Sequence, residues 1–180
     1  MHVDFSTLPA PLLARAAQVE LMIFDVDGVL TDGGLYYGEL GEQVKRFNVH
    51  DGLAIKHLPE FGIRTAIISA RLSPLTAKRA HDLGISHVYQ GAQQKQIAFA
   101  DLLAELNLSP QVCGYLGDDV IDLPLLRRVG FAASVANGRI EAQQMAHYVS
   151  QAGGGAGAAR EVCELLLFAR GRSLAELFNA

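Results

Sequence analysis

Leu21-Met22-Ile23-Phe24-Asp25-Val26-Asp27-Gly28-Val29-Leu30-Thr31-Asp32-Gly33 is the stretch on which the fold turns. Apolar residues run from Val19 to Phe24, broken only by Glu20, and then meet two aspartates spaced i, i+2 and a glycine. A run that is apolar at consecutive positions fits a central strand covered on both faces, as in a parallel sheet. Open α/β sheets bind their ligands beyond the carboxyl ends of such strands. Extended backbone alternates its side chains, so Asp25 and Asp27 face the same way. Two carboxylates held close repel, and a cation, or a proton on one of them, must offset the cost. Alone, Asp-x-Asp-Gly also describes a polar strand end followed by an Asp-Gly turn. Its meaning depends on what the rest of the chain brings to it.

Downstream, the strand pattern recurs. Thr65-Ala66-Ile67-Ile68-Ser69 reads as a second buried strand, and Ser73-Pro74 opens a helix that ends near Leu83 with Gly84 as its stop. Ile85 to Tyr89 is a short strand, Gln94 to Leu106 a helix, and Val112 to Leu116 a strand ending in Gly117-Asp118-Asp119. Ile121 to Val129 predicts a helix, Phe131 to Val135 a strand, Ala136 to Met145 a helix and Tyr148-Val149 a last strand. Strands alternating with helices imply right-handed crossovers and a mainly parallel sheet, hence an α/β fold of three layers, α/β/α, doubly wound.

Upstream, Pro9 to Gln18 predicts a leading helix. Leu35 to Tyr37 and Gln43 to Phe47 flank the loop Gly38 to Glu42 and predict a β-hairpin, a small flap beside the strand end. Asp51-Gly52 opens a short helix through Leu58. Gly153-Gly154-Gly155-Ala156-Gly157 predicts a flexible break before a final amphipathic helix, Arg160 to Arg170. No repeat and no shift of composition marks a second unit, so residues 1–180 are expected to form one domain.

Half of the residues are apolar and 19% are charged, which suits a globular chain. A net charge of −4 gives no support to nucleic-acid binding, which usually shows a basic patch. Met1-His2-Val3-Asp4 has no cationic region ahead of an apolar stretch, so no secretory signal is expected. No apolar run approaches the ~18 residues of a membrane span. Cys113 and Cys163 stand far apart without metal-ligand spacing and read as reduced, buried thiols of a cytoplasmic protein.

Three strand ends can be read together. Asp25 and Asp27, then Ser69, then Asp118 and Asp119 all fall on one carboxyl edge of the sheet, with Lys95 at the start of an intervening helix. Carboxylates with an open position suit a hard cation, above all Mg²⁺. A lysine, a hydroxyl and helix N-termini suit the oxygens of a phosphoryl group.

These residues, Asp-Val-Asp-Gly-Val-Leu-Thr-Asp-Gly with Ser69, Lys95 and Gly117-Asp118-Asp119-Val120-Ile121-Asp122, resemble in order and spacing the four motifs of the haloacid dehalogenase superfamily of phosphatases. Thr31-Asp32-Gly33, Phe47 to Gly52, Tyr89-Gln90-Gly91 and Gly153 to Val162 bring the resemblance closer to a capless subclass, the 3-deoxy-D-manno-octulosonate 8-phosphate phosphatases. The resemblance implies Mg²⁺-dependent hydrolysis of a sugar-acid phosphate, in lipopolysaccharide precursor synthesis, by a homotetramer in which a neighbour helps close the site. It makes Asp25 the nucleophile that takes the phosphoryl group, and Asp27 the acid and then the base. Mg²⁺ would sit among the Asp25 carboxylate, the Asp27 carbonyl and Asp118, with Asp119 holding its water shell or Lys95. Ser69 and Lys95 would bind phosphoryl oxygens. The sugar acid would meet Asn48, Val49, His50, Asp51, Gly52, Lys56, Arg71 and Arg79. Arginine is the family's usual residue where His50 and Lys56 stand, and Ser69-Ala70-Arg71 replaces Thr-Gly-Arg. Two other readings remain: a phosphatase for the 9-phosphate of a nonulosonic acid, and a non-catalytic oligomerisation module of the same fold. Asp32 and Asp122 read as turn and helix-start residues.

Overall fold

Leu21 to Phe24 divides the molecule into layers. Leu21 and Ile23 pack on one face of the sheet and Met22 and Phe24 on the other, all of them fully buried. The computed structural model describes residues 3–178. Met1, His2, Asn179 and Ala180, the ends of the expected domain, lie outside the described residues.

The elements run α1 (Ala10–Ala17), β1 (Leu21–Phe24), β2 (Tyr36–Gly38), β3 (Gly41–Val44), α2 (Val49–His57), β4 (Arg64–Ile68), α3 (Pro74–Leu83), β5 (His87–Tyr89), α4 (Lys95–Leu106), β6 (Cys113–Gly117), α5 (Leu123–Leu126), β7 (Phe131–Ser134), α6 (Ile140–Met145), β8 (Tyr148–Val149) and α7 (Ala158–Ala169). The main sheet has the order β5-β4-β1-β6-β7-β8, every pair parallel. The chain builds outward from β1 to β4 and β5, then crosses back to β6 on the other side. That reversal opens a crevice at the carboxyl ends of the strands flanking β1.

Helices cover both faces, as the buried strand runs predict. On the Met22/Phe24 face, Ala16, Ala54, Ile55, Leu58, Leu83, Val162, Leu165 and Leu166 pack from α1, α2, α3 and α7 and the turn after α2. On the Leu21/Ile23 face, Phe99, Leu102, Leu125 and Ala142 pack from α4, α5 and α6. No described helix is long and apolar enough to cross a membrane.

Four expectations change in detail. The hairpin β2–β3 turns over Glu39 and Leu40 alone, because Gly41 takes φ +99° and lets the strands run into the glycine segment. The helix expected over Ile121 to Val129 begins as a 3-10 turn at Val120–Asp122, and its α part ends at Leu126. That expected over Ala136 to Met145 starts only at Ile140, since the Arg139 N–H donates to the Asp118 carbonyl at 2.7 Å and holds residues 136–139 in a turn. The segment Gly153–Gly157 is not a break. Gly154 and Gly155 are buried against residues 28–32, and a Cβ on Gly154 would overlap the Gly28 carbonyl.

Candidate active site

β1 ends at Phe24, and the Asp25 N–H fixes the next residue to the sheet by donating to the Leu116 carbonyl of β6 at 3.0 Å. The chain then coils tightly. The N–H groups of Val29, Leu30 and Thr31 all donate to the Val26 carbonyl, and Thr31 Oγ1 accepts from the N–H groups of Gly28 and Gly33. This turn sets Asp25 and Asp27 in the wall of a cavity of about 150 Å³. Ser69 and Arg71 from the end of β4, Lys95 from the start of α4, and Asp118, Asp119 and Ile121 from beyond β6 complete it. Gly28 sits at φ +91°, and a Cβ there would run into the Asp118 carboxylate. The carboxylates can therefore be gathered only around a glycine.

Lys95 is a buried cation of the site, 1% exposed. Its Nζ lies 2.9 Å from Asp25 Oδ1, 2.6 Å from Asp122 Oδ1 and 3.1 Å from the Tyr115 hydroxyl. Burial pulls the ammonium down, but Asp25 and Asp122 outweigh it and the net shift is upward, so Lys95 stays charged.

The carboxyls of Asp25 and Asp118 are each pushed up to about 7. Burial is the main cause for both, and neighbouring carboxylates add to it: Asp122 for Asp25, and Asp25, Asp122 and Asp119 for Asp118. Oxygens of Asp25, Asp118 and Asp122 lie within 4.8 Å of one another. Asp122 is already saturated: Oδ1 accepts from Lys95 and Tyr115, and Oδ2 from the N–H groups of Asp118 and Asp119. Asp118 Oδ1, by contrast, is buried without a hydrogen-bond partner. Oxygen donors whose charged forms are held back by burial, one of them unpartnered, fit a hard divalent cation at Asp25 and Asp118.

Residues 84–160 match the family model of haloacid dehalogenase-like hydrolases. The 3-deoxy-D-manno-octulosonate 8-phosphate phosphatase KdsC of Escherichia coli K12 is 44% identical over 168 residues, 93% of this chain and 89% of that protein. The chain belongs to the 3-deoxy-D-manno-octulosonate 8-phosphate phosphatase family. The family's Yersinia pestis crystal structure superposes with a TM-score of 0.89 at 44% identity, covering 92% of this chain and 89% of that one. A Moraxella catarrhalis member, solved in complex with magnesium ion, phosphate ion and a KDO molecule, gives 0.85 at 41% identity, covering 88% and 91%.

Within this octulosonate phosphatase-family fold, the expected site residues separate into two groups. Asp25, Asp27, Ser69, Arg71, Lys95, Asp118 and Asp119 surround one cavity. Ser69, 2% exposed, is fixed to the neighbouring β5 end by its N–H, which donates to the Tyr89 carbonyl at 2.8 Å. Asn48, Val49, His50, Asp51, Gly52, Lys56 and Arg79 lie elsewhere. Val49, Gly52, Lys56 and Arg79 line a separate surface groove, and His50 lines another beside Arg160. Asn48 caps α2 by accepting from the His50 N–H, and Arg79 donates to the Asn48 carbonyl. Asp51 is buried and accepts from the Arg160 N–H at 2.7 Å. It thus supplies α7 with the N-terminal acceptor that Gly157, having no side chain, cannot.

Three partners are not where the sequence reading looked. Asp122, not Asp119, holds Lys95; Asp119 is exposed and caps Val120. Lys45 and Glu42, on the hairpin, reach into the site: Lys45 pairs with both Asp27 and Glu42. The one signal for Asp122 was a third carboxylate four residues after Asp118, in a turn that draws its side chain back under the strand end.

Proposed function

We propose that this chain hydrolyses 3-deoxy-D-manno-octulosonate 8-phosphate to the free sugar acid and orthophosphate, with Mg²⁺ as its cofactor. The observation that carries the reading is the convergence of Asp25, Asp27, Ser69, Lys95 and Asp118 on one cavity, in a chain 44% identical to a phosphatase named for that substrate. About 150 Å³ admits a phosphoryl group but not a whole eight-carbon sugar, which must extend outward past Arg71 and the hairpin.

The residues divide the work as follows. An Asp25 carboxylate oxygen attacks phosphorus, and the bond from phosphorus to the sugar oxygen breaks. The leaving oxygen takes its electron pair and a proton from the Asp27 carboxyl, giving the sugar alcohol and an aspartyl-phosphate. Asp27, now a carboxylate, accepts a proton from water as that water bonds to phosphorus and the bond to Asp25 breaks. Orthophosphate leaves and both aspartates are restored. Lys95 lies against the Asp25 carboxylate and offsets phosphoryl charge, while Ser69 donates to a phosphoryl oxygen. Asp25 and Asp118, with the Asp27 carbonyl, would hold Mg²⁺, which would supply the remaining positive charge. Asp119 stands at the rim, in position to accept from water around it.

Arg71 is the guanidinium at the mouth, with a side chain 40% exposed, and it suits a sugar carboxylate. Asn48, Val49, His50, Gly52, Lys56 and Arg79 serve the sugar only if a second copy presents them. We therefore place the enzyme in the cytoplasm as a homotetramer, in which a neighbour covers exposed Tyr37, Leu40, Val44 and Val49. The test is phosphate release from the octulosonate 8-phosphate and a nonulosonate 9-phosphate, each with Mg²⁺ and with chelator. A higher kcat/KM on the octulosonate ester, lost with chelator, is expected. Preference for the longer sugar would move the substrate, and no release from either would make the chain a binding module.

A further inference from the structure

We propose that Lys45 is a positioning residue for proton transfer: by holding one oxygen of the Asp27 carboxyl it leaves the other aimed at the leaving group. The inference rests on Asp27 being the proton donor of the reaction above. Lys45 follows β3 directly, on a hairpin whose other large residues Tyr36, Tyr37, Leu40 and Val44 are exposed. Its side chain nevertheless is 1% exposed, and its ammonium is clamped between Asp27 Oδ1 and Glu42 Oε1, 3.1 Å away on the latter side.

A buried ammonium is costly unless well-placed anions repay its lost hydration. Glu42 is therefore itself fixed: Ser73 Oγ donates to its Oε2 at 2.9 Å, and Arg71 Nη2 lies 3.6 Å from its Oε1. Arg71 also donates from Nη2 to the Tyr37 hydroxyl at 3.1 Å. Together these contacts dock the base of the hairpin on the loop after β4 and carry Lys45 to Asp27. The expected flap is thus an arm whose root ends in the active site. Asp27 Oδ1 is occupied by Lys45, whereas Asp27 Oδ2 is buried without a hydrogen-bond partner, with Arg71 Nε 3.7 Å away. The carboxyl therefore meets the cavity with one defined oxygen free. As the phosphorus–oxygen bond breaks, that oxygen passes its proton to the sugar oxygen and later takes one back from the attacking water.

The consequence depends on the leaving group. A sugar alkoxide needs a proton to depart, and a p-nitrophenolate does not. Both esters share the later hydrolysis of the aspartyl-phosphate, so the comparison is of leaving-group release in a single turnover. Lys45→Met should slow sugar release from octulosonate 8-phosphate by about 10²-fold, while the p-nitrophenolate burst from p-nitrophenyl phosphate stays within about threefold of wild type. A retained p-nitrophenolate burst also shows that the variant is folded. Glu42→Gln, which keeps an acceptor for Ser73 but loosens the clamp, should show a smaller loss on the sugar ester alone. In an Asp27→Asn background, Lys45→Met should cost nothing more on the sugar ester. Equal losses on both esters from Lys45→Met, no loss on the sugar ester, or additive losses with Asp27→Asn would each overturn the proposal. If Asp27→Asn itself slows leaving-group release from both esters alike, the proton-donor reading falls and takes the proposal with it. If only Lys45→Met lacks the ester dependence, the reading stands and the proposal alone falls.

Discussion

Replacing Asp122 by asparagine changes almost no volume and removes one charge, yet the structure makes it among the most damaging substitutions available. The Asp122 side chain is fully buried and accepts four hydrogen bonds, two on each oxygen. An asparagine has one acceptor oxygen and one NH₂ group. If the oxygen stays on the N–H groups of Asp118 and Asp119, the NH₂ faces the Lys95 ammonium, donor against donor. If it flips, the NH₂ faces the two backbone donors instead. Either way two buried donors lose their acceptor, at about 1–3 kcal/mol each. In the first arrangement Lys95 keeps only one anion, and breaking a buried ion pair costs about 3–5 kcal/mol. We therefore expect a loss of about 4 kcal/mol and a Tm lower by on the order of 10 °C for a chain of this size. With Lys95 no longer held against Asp25, kcat should fall about 10²-fold. The assay is thermal melting of metal-free protein beside phosphate release with Mg²⁺, for Asp122→Asn, Lys95→Met and the double variant. Because the two residues share one ion pair, the double variant should lose clearly less stability than the two single losses combined. Asp119→Asn, exposed and still able to accept from the Val120 N–H that Asp119 caps at 2.7 Å, is the control and should melt close to wild type. An Asp122→Asn protein as stable and active as wild type would refute the reasoning.

Metal-free protein should lose stability as pH rises from about 4 to about 7. Asp25 and Asp118 keep their protons in the fold up to about 7, well after unfolded aspartates have released theirs near 3.8, so over that window the native state binds more protons. Mg²⁺ should raise Tm more at pH 8 than at pH 5.5, and melting scans at the two pH values check the sign. Gly154→Ala drives a Cβ into the Gly28 carbonyl; it should cost about 1–3 kcal/mol and lower kcat by shifting the Asp25–Asp27 loop, read from melting and turnover together. Cys113, its thiol pushed up to about 12 by burial, and Cys163, raised well above the ordinary range for the same reason, should resist a thiol reagent in native protein and react in denaturant.

What could be read from the sequence was whatever depends on local pattern and strand order. Apolar runs ending in Asp25, Ser69 and Asp118 locate three adjacent strand ends, because β4, β1 and β6 are neighbours in the sheet. Lys95 at a helix start was legible for the same reason. What failed depends on long-range packing. Lys45 and Glu42 look like solvated hairpin charges until Ser73, 31 residues from Glu42, draws the hairpin down. Ser73 itself has the position of an N-cap, but its hydroxyl is spent on Glu42 rather than on α3. Gly153–Gly157 has the composition of a linker, yet the missing side chains serve close packing against Gly28 and Thr31. Nor could local pattern show that Asp51, at the start of α2, accepts from the Arg160 N–H of α7, 109 residues along the chain.

The most direct measurement of the central claim is mass spectrometry of acid-quenched protein after brief exposure to octulosonate 8-phosphate and Mg²⁺, beside the turnover of Asp25→Asn. A phosphoryl adduct on the peptide carrying Asp25, absent with chelator, together with an inactive but folded Asp25→Asn variant, is the predicted result. Turnover by Asp25→Asn at the wild-type rate, with no adduct on that peptide, would contradict the account.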